Sequence, residues 1–431
     1  MGKVRLLPHQ QRVMDMTAAF DNIADYIDMG GGKTFIGSEQ IARFGNDLNV
    51  IICQKSKIQD WVEHMKEYYP EYTTFDLTKN KEAETFYNLA EEHIPVVGVI
   101  NYDLVFRRSY FAHISGFTLL LDESSMIQNE TAQRSKFVLK MHPEHVILLS
   151  GTPTAGKYER LWSQLHLLGW DIGKKLYYKQ YVETEFIEVD DSGFKIPVIV
   201  GYKNVDRLKR KLAAHGAVFM KTEEFGLADL PKQNDVIVNV PLTGKYREFM
   251  KNRVVWVDEK QLIGDTTLTK RLYARQLCGH YNPAKLDAFK DLIQSTEDRL
   301  IVFYNFNDEL NALLKIAEQE SRPVSIVNGS TKDLNNFERC NDSVTFIQYQ
   351  AGAMGLNLQK ANKIVYFTLP DKSELFEQSK KRIHRIGQEL PCYYYYLMCK
   401  GSVETDILKT LKMRKDYTDE LFNKYCSAED A

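Results

Sequence analysis

The sequence has 431 residues, with 56 basic against 58 acidic side chains and a net charge of −2. That length suggests two or three domains, and the charge balance excludes global attraction to nucleic acid, so any such contact must come from local patches. Six cysteines, Cys53, Cys278, Cys340, Cys392, Cys399 and Cys426, form no CxxC pair, which argues against zinc and for a reducing, intracellular compartment.

In chain order, the first residues, MGKVRLLPHQ, lack the apolar core of a signal peptide and the Ser or Thr that myristoylation wants at position 6. No run approaches the roughly 18 apolar residues of a membrane span, so no membrane association is expected. Asp28-Met29-Gly30-Gly31-Gly32-Lys33-Thr34 then ends in GKT after the apolar pair Tyr26-Ile27. Three glycines let the backbone curl until consecutive N–H groups face phosphate oxygens. Lys33 reaches the outer phosphates, and Thr34 can hold Mg²⁺. A full P-loop pattern would want Gly at position 27, where this chain has Ile27.

Short apolar strands, each followed by a helical stretch, recur in two series. The first comprises 49–53, 95–100, 117–121 and 145–149, and the second 299–303, 324–327, 344–348, 363–367 and 393–398. Such runs are what parallel sheets covered on both faces require, so the pattern predicts an α/β fold with two lobes. The expected division is a first lobe over 1–168, an accessory hairpin and helical region bridging the lobes over 169–281, and a second lobe with a C-terminal helix over 282–431. Within the accessory region, FIEVDDSGFKIPVIVG reads as a hairpin around Asp190-Asp191-Ser192-Gly193.

Asp122-Glu123 ends the strand FTLLL. In open α/β sheets ligands gather at the carboxyl ends of strands, so Asp122 is expected to hold Mg²⁺ through water and Glu123 to act as general base on the attacking water. Ser150-Gly151-Thr152-Pro153-Thr154 ends the next strand and reads equally as a phosphate-coupled turn or a plain one. Trp61 in QDWVEHM is expected as a buried helix anchor rather than a base-stacking platform. Two basic patches stand out. Tyr202 to Leu212 holds Lys203, Arg207, Lys209, Arg210 and Lys211 against Asp206. In DKSELFEQSKKRIHRIGQ, over 371–388, Arg382 and Arg385 are spaced to share one face of a helix, and forked guanidiniums suit phosphate.

Taken together, Gln10, MGGGKT, ICQKSKIQDWVEHMKEY, INYDLVFR, LLLDESSMIQN, LLSGTPTAGKYERLWSQL, VNGS, QAGAMGLNLQKAN and QSKKRIHRIGQ resemble the SWI/SNF-type helicase-like ATPases of superfamily two, over about residues 6 to 410. The resemblance implies two RecA-like lobes, ATP hydrolysis with Mg²⁺ at their interface, and translocation on double-stranded DNA. It implies that Gln10 reads adenine, that Gly30, Gly31, Gly32, Lys33 and Thr34 hold phosphate and magnesium, and that Asp122 and Glu123 form the acidic box. By the same resemblance Arg382 and Arg385 reach the γ-phosphate, Gly355 and Gln388 belong to the nucleotide site, and Gly352, Gly355 and Asn357 fall in a block touching both nucleotide and DNA. DNA-backbone contacts are implied for Lys55, Ser56, Asn101, Tyr102, Asn305, Gly329, Ser330, Ala351 and Gly352.

The chain departs from the family in DESS, where DEAH is usual, and in VFMKT, where a pair of arginines is usual. No chromatin-reading, zinc or nuclease module is recognisable. The expectation is therefore a compact monomeric motor of a prokaryotic or bacteriophage kind, working in the cytoplasm, with replication or recombination proteins as candidate recruiting partners. Rival readings are a helicase or branch-migration enzyme on branched DNA, and a nucleotide-gated DNA-binding scaffold without turnover.

Overall fold

In the strand Leu48–Cys53, Val50 and Ile52 join one buried apolar cluster, while Ile51 and Cys53 join another. Successive side chains of a strand point to opposite faces, so an unbroken apolar run needs cover on both. The computed structural model describes residues 4–423 apart from 155, 189–194, 226–229, 353–355 and 386, with the backbone alone at 187, 352 and 414–423. The turn of the expected hairpin and Gly355 thus lie outside the described residues. Among the described residues no helix is long and apolar enough to cross a membrane.

Two compact units are present, the second spanning Ala228–Lys415. In the first, β1 (Asn22–Ile27), β2 (Leu48–Cys53), β3 (Thr73–Asp76), β4 (Val96–Asn101), β5 (Thr118–Asp122) and β6 (His145–Ser150) alternate with helices. A separate antiparallel hairpin of β7 (Val182–Glu188) and β8 (Lys195–Tyr202) follows, then β9 (Ala217–Met220). The seven-stranded sheet runs β3-β4-β2-β5-β6-β1-β9, parallel throughout.

The second unit contains β10 (Gln233–Val240), a hairpin of β11 (Val254–Val257) and β12 (Lys260–Ile263), then β13 (Leu300–Tyr304), β14 (Val324–Val327), β15 (Lys332–Asp333), β16 (Val344–Gln348), β17 (Lys363–Tyr366) and β18 (Cys392–Cys399). Its seven-stranded sheet runs β10-β18-β17-β13-β16-β14-β15, with only the β14–β15 pair antiparallel. Ile301 and Phe303 of β13 enter one cluster, and Leu300, Val302 and Tyr304 enter the other. The two parallel-sheet α/β lobes read from the strand pattern are therefore present.

All nine strands expected in the two series exist, within a residue or two of their expected ends. The paired strands of the expected hairpin, β7 and β8, are present as well, and two of the strands left out were hidden for physical reasons. β1, NIADYI, carries an aspartate in mid-strand. β10 is an edge strand that alternates between exposed and half-buried positions from Gln233 to Asn239 before the buried Val240, so it lacks a continuous apolar run. Residues 169–281 contribute β9 to one sheet and β10 to the other.

Distant segments also meet in the second unit. Cys278, Cys399 and Glu404 lie together, all buried, with ligand-type atoms within 4.8 Å of one another. Glu404 is already engaged there, by Lys285 Nζ at 2.5 Å and by the Cys399 N–H at 3.0 Å. The buried ammonium sits where a cation would neutralise the cluster.

Asp25 is fully buried in β1, and neither carboxylate oxygen meets a donor at hydrogen-bonding geometry. Burial pushes its pKa up to about 7, against smaller downward pulls from Gln40, Arg43 and Lys33. The unfolded chain ionises Asp25 near the ordinary carboxylate value, so between about pH 4 and 7 the native state keeps a proton that the unfolded state has released. Its contribution is most favourable below the unfolded pKa and falls as pH rises through the folded one, by up to about 4 kcal/mol for a change of this size. Asp25→Asn is expected to flatten that decline. Urea denaturation midpoints measured from pH 5 to pH 8 would check this, and an equally steep decline in both proteins would rule Asp25 out as its cause.

Candidate functional site

β1 delivers the chain into the turn 28–32, where Gly30 and Gly32 take positive φ of 87° and 72°. Side chains rarely tolerate that conformation. A Cβ on Gly31 would lie 2.6 Å from Ile27 Cγ2 and 2.8 Å from Phe225 Cζ, so the central position is closed to larger residues as well. The helix Lys33–Phe44 starts at once, which aims its free N–H groups and positive dipole end at the turn. Lys33 Nζ donates to the carbonyls of Ile27 (2.8 Å) and Asp28 (3.2 Å). Thr34 lies in the helix's first turn, and its carbonyl accepts the Ser38 hydroxyl at 2.8 Å.

The helix Pro8–Thr17 supports this turn from one side. Gln10 is buried, with Nε2 donating to the Gly31 carbonyl at 3.4 Å and Oε1 accepting from the Leu7 N–H at 2.8 Å. His9 Nε2 lies 3.0 Å from the same carbonyl, and its ring stacks on Phe225 at 4.6 Å. Asp28 Oδ2 accepts from the Thr222 N–H and hydroxyl at 3.2 and 2.9 Å.

β5, β6 and β1 are consecutive in the sheet and parallel, so their carboxyl ends meet on one edge. Asp122-Glu123, Ser150-Gly151 and the glycine turn therefore converge. A Cβ built on Gly151 would stand 3.6 Å from Lys33 Nζ. Glu123 adopts φ of 56°, an uncommon conformation for a side-chain-bearing residue, and its Oε2 lies 3.5 Å from the Ser150 hydroxyl. Burial pushes the Asp122 pKa up, while the Trp61 hydrogen bond and the charges of Lys33 and Lys57 oppose it.

Three supporting side chains were not singled out for these roles from sequence. Trp61 is buried as expected of a helix anchor, and its Nε1–H donates to Asp122 Oδ2 at 2.9 Å. Tyr102, expected at DNA, is 1% exposed, and its hydroxyl donates to the Asp122 carbonyl at 2.9 Å. Gln164 is fully buried: Oε1 accepts from Ser124 (2.7 Å) and Tyr26 (3.0 Å), and Nε2 donates to the Pro153 carbonyl (2.8 Å). One amide thus ties β1, the acidic turn and the turn after β6 together. The Ser in DESS and the Gln in LWSQL were visible, but nothing local announces that they pair.

Of the remaining DNA candidates in this unit, Lys55 and Ser56 are exposed in the short turn after β2, whereas Asn101 is buried at the end of β4. In the second unit Gly329 and Ser330 are exposed, and Ala351 is buried in the helical turn Tyr349–Gly352. Asn305 spends its amide on the Thr368 hydroxyl (2.9 Å) and the Leu369 carbonyl (3.1 Å). Gln388 is 7% exposed and donates to the carbonyls of Ala361 (2.8 Å), Gln359 (3.1 Å) and Ile383 (3.2 Å).

The expectation that Arg382 and Arg385 share a helical face is corrected. The helix is Ser373–Lys380, and both arginines lie beyond it, Arg382 in a turn and Arg385 in a bend. Arg382 is buried and its carbonyl accepts from the Leu358 N–H at 3.2 Å. Arg385 Nη1 donates to Asn357 Oδ1 at 2.5 Å, and desolvation lowers its pKa.

A glycine turn opening a helix beside an acidic pair at the carboxyl edge of a parallel sheet is the arrangement of a P-loop nucleotide site. Family comparison agrees: the SNF2-related domain matches residues 14–282, and the helicase conserved C-terminal domain matches 284–387. The chain belongs to this SNF2-related family of helicase-like ATPases in superfamily two. Relatives include YwqA of Bacillus subtilis, provisionally named an ATP-dependent helicase/translocase, 22% identical over 91% of this chain and 46% of the relative. The SWI/SNF-related matrix-associated actin-dependent regulator of chromatin subfamily A member 1 of Mus musculus is 22% identical over 90% of this chain and 40% of its own. The ISWI chromatin-remodeling complex ATPase ISW1 of Saccharomyces cerevisiae is 22% identical over 90% and 38%. The chain thus spans less than half the length of these relatives. A solved Sulfolobus solfataricus SWI2/SNF2 ATPase core in complex with dsDNA is 18% identical, with 98% of this chain and 94% of that one covered at a TM-score of 0.45.

Gln164→Leu keeps the volume but leaves two buried hydroxyls and a carbonyl without their partner. A loss of about 2 to 4 kcal/mol is expected in urea denaturation. A change below about 0.5 kcal/mol would show that those groups re-pair elsewhere.

Proposed function

We propose that this chain is a DNA-dependent ATPase that translocates on duplex DNA by closing and reopening two RecA-like lobes around ATP. The observation that carries the reading is the convergence of the glycine turn, Asp122-Glu123 and Ser150-Gly151 on one sheet edge, beside Lys33. The helicase/translocase name of the Bacillus subtilis relative supports the motor class. DNA as the polymer rests on the family resemblance.

The residues fit Mg²⁺. Asp122 is a carboxylate whose ionised form burial penalises, and a divalent cation beside it offsets that penalty. Thr34 and Asp122 would hold the ion, which when bound neutralises phosphate charge and orients the oxygens. The backbone N–H groups of residues 30–34 bind the phosphates, and Lys33 turns from the Ile27 and Asp28 carbonyls to the outer phosphates. Glu123, with its carboxylate near Ser150, orients the attacking water and accepts its proton. Arg382 and Arg385 complete the charge stabilisation in the closed state, so DNA that favours closure raises turnover. Arg385 gives up its bond to Asn357 to do so.

Steady-state ATP hydrolysis without nucleic acid and with single-stranded DNA, blunt duplex, a four-way junction or RNA tests the reading, with Glu123→Gln as control. Stimulation by duplex that the control abolishes is expected. Stimulation by single strands or RNA alone would overturn it in favour of a conventional helicase, and nucleotide binding without turnover would favour a scaffold. Arg385→Ala is expected to leave ATP binding nearly intact and to lower hydrolysis at least about a hundredfold; unchanged turnover would exclude that arginine. Trp61→Phe removes one hydrogen bond from Asp122 while keeping an aromatic anchor. It is expected to raise the Mg²⁺ concentration needed for half-maximal hydrolysis several-fold without changing the melting temperature by more than a few degrees. An unchanged Mg²⁺ requirement would mean that Trp61 only packs.

A further inference from the structure

The basic stretch picked out between Tyr202 and Leu212 is divided by the fold. Its helix, Val205–Ala214, buries Leu208 and Leu212 completely in the core of the first unit. Lys209, one of the five cations, is buried with them at 3% exposure. Lys203, Arg207, Arg210 and Lys211 are exposed, and among the described residues none of these four makes an ion pair. Arg207, Arg210 and Lys211 stand at i, i+3 and i+4, so they share one face.

That arrangement works against the helix in isolation, because like charges three and four residues apart repel one another. The helix is nevertheless held in place. The Lys203 N–H donates to the Tyr181 carbonyl at 3.1 Å, and Asn204 Nδ2 donates to the Gln180 carbonyl at 2.7 Å. The buried leucines fix the opposite face, so the cations project from a rigid element rather than a mobile loop. An external polyanion relieves their mutual repulsion. Cβ atoms about 5 to 6 Å apart, on long side chains, match successive phosphates of a strand.

The hairpin leading into this helix has the opposite character. Glu183, Glu185 and Glu188 of β7 are all exposed, and Lys195, its one cation among the described residues, pairs with Glu188 at 3.3 Å. The positively charged surface therefore stops at Lys203.

We propose that Lys203, Arg207, Arg210 and Lys211 form a phosphate-backbone contact for duplex DNA, outside the nucleotide site and separate from the turns at Lys55 and Ser56. The inference rests on the DNA-motor reading and adds to it a place where the first lobe grips the duplex. Forked and flexible cations contact phosphates without reading bases, so the grip is independent of sequence.

The test compares the unaltered 431-residue chain with Arg207→Ala/Arg210→Ala/Lys211→Ala and with the charge-preserving Arg207→Lys/Arg210→Lys/Lys211→Arg. Binding of fluorescein-labelled blunt duplex and of an RNA duplex is followed by anisotropy from about 50 to 200 mM salt. Each lost phosphate contact lowers the log–log salt slope by about 0.9, so the alanine variant is expected to lose about 2 to 3. Its affinity should fall at least tenfold near physiological salt. The charge-preserving variant should retain both, and DNA-independent ATP hydrolysis should be unchanged in either. An unchanged slope and affinity in the alanine variant, with duplex still stimulating hydrolysis, would overturn the patch and leave the motor reading standing. A slope change with RNA duplex only would overturn the choice of polymer. Wild-type protein that neither binds duplex nor responds to it would end both readings.

Discussion

Parallel strands send all their carboxyl ends to one edge of the sheet, and the chemistry of this protein depends on that constraint. The order β5-β6-β1 brings together the turns that follow Ile27, Asp122 and Ser150, which are far apart in the chain. Adjacency alone would leave the turns free to shift relative to one another. Gln164 removes that freedom, since its single buried amide holds Tyr26, Ser124 and Pro153 at the same time. The departure from DEAH is thereby put to use, with Ser124 of DESS supplying the hydroxyl that joins the acidic turn to this network.

Buried charge is managed differently in different places. Burial pushes the Asp122 pKa up, and a donor from Trp61 and two nearby lysines oppose that push. Glu404 has Lys285, an ion pair sealed in the interior of the second unit. Neither carboxylate oxygen of Asp25 has such a partner among the described residues, and burial pushes its pKa up.

Exposed charge follows the fold in the same way. The basic helix Val205–Ala214 and the acidic strand β7 lie close in the chain, yet differ in the sign of the surface they present. Composition averages the two almost to zero. Only the burial of Leu208, Lys209 and Leu212 determines which cations remain available to an outside ligand.

Local patterns determined the elements. Continuous apolar runs located nine of the strands and two lobes, and the glycine turn, the acidic pair and the motif order were legible because each is a short, contiguous run with its own chemistry. Strands β1, β3 and β10 were not recognised, since their polar or alternating residues are tolerated only by their place in a sheet, and the short buried run AVFM of β9 was passed over as well. The helical register assumed for Arg382 and Arg385 failed for a related reason, as the chain turns out of its helix at Lys380. Trp61 on Asp122, Tyr102 on the acidic turn, Gln164 across three loops and Lys285 on Glu404 belong to the tertiary structure alone. A buried polar atom must find a partner wherever packing brings one, and sequence spacing carries no record of which distant atom that will be.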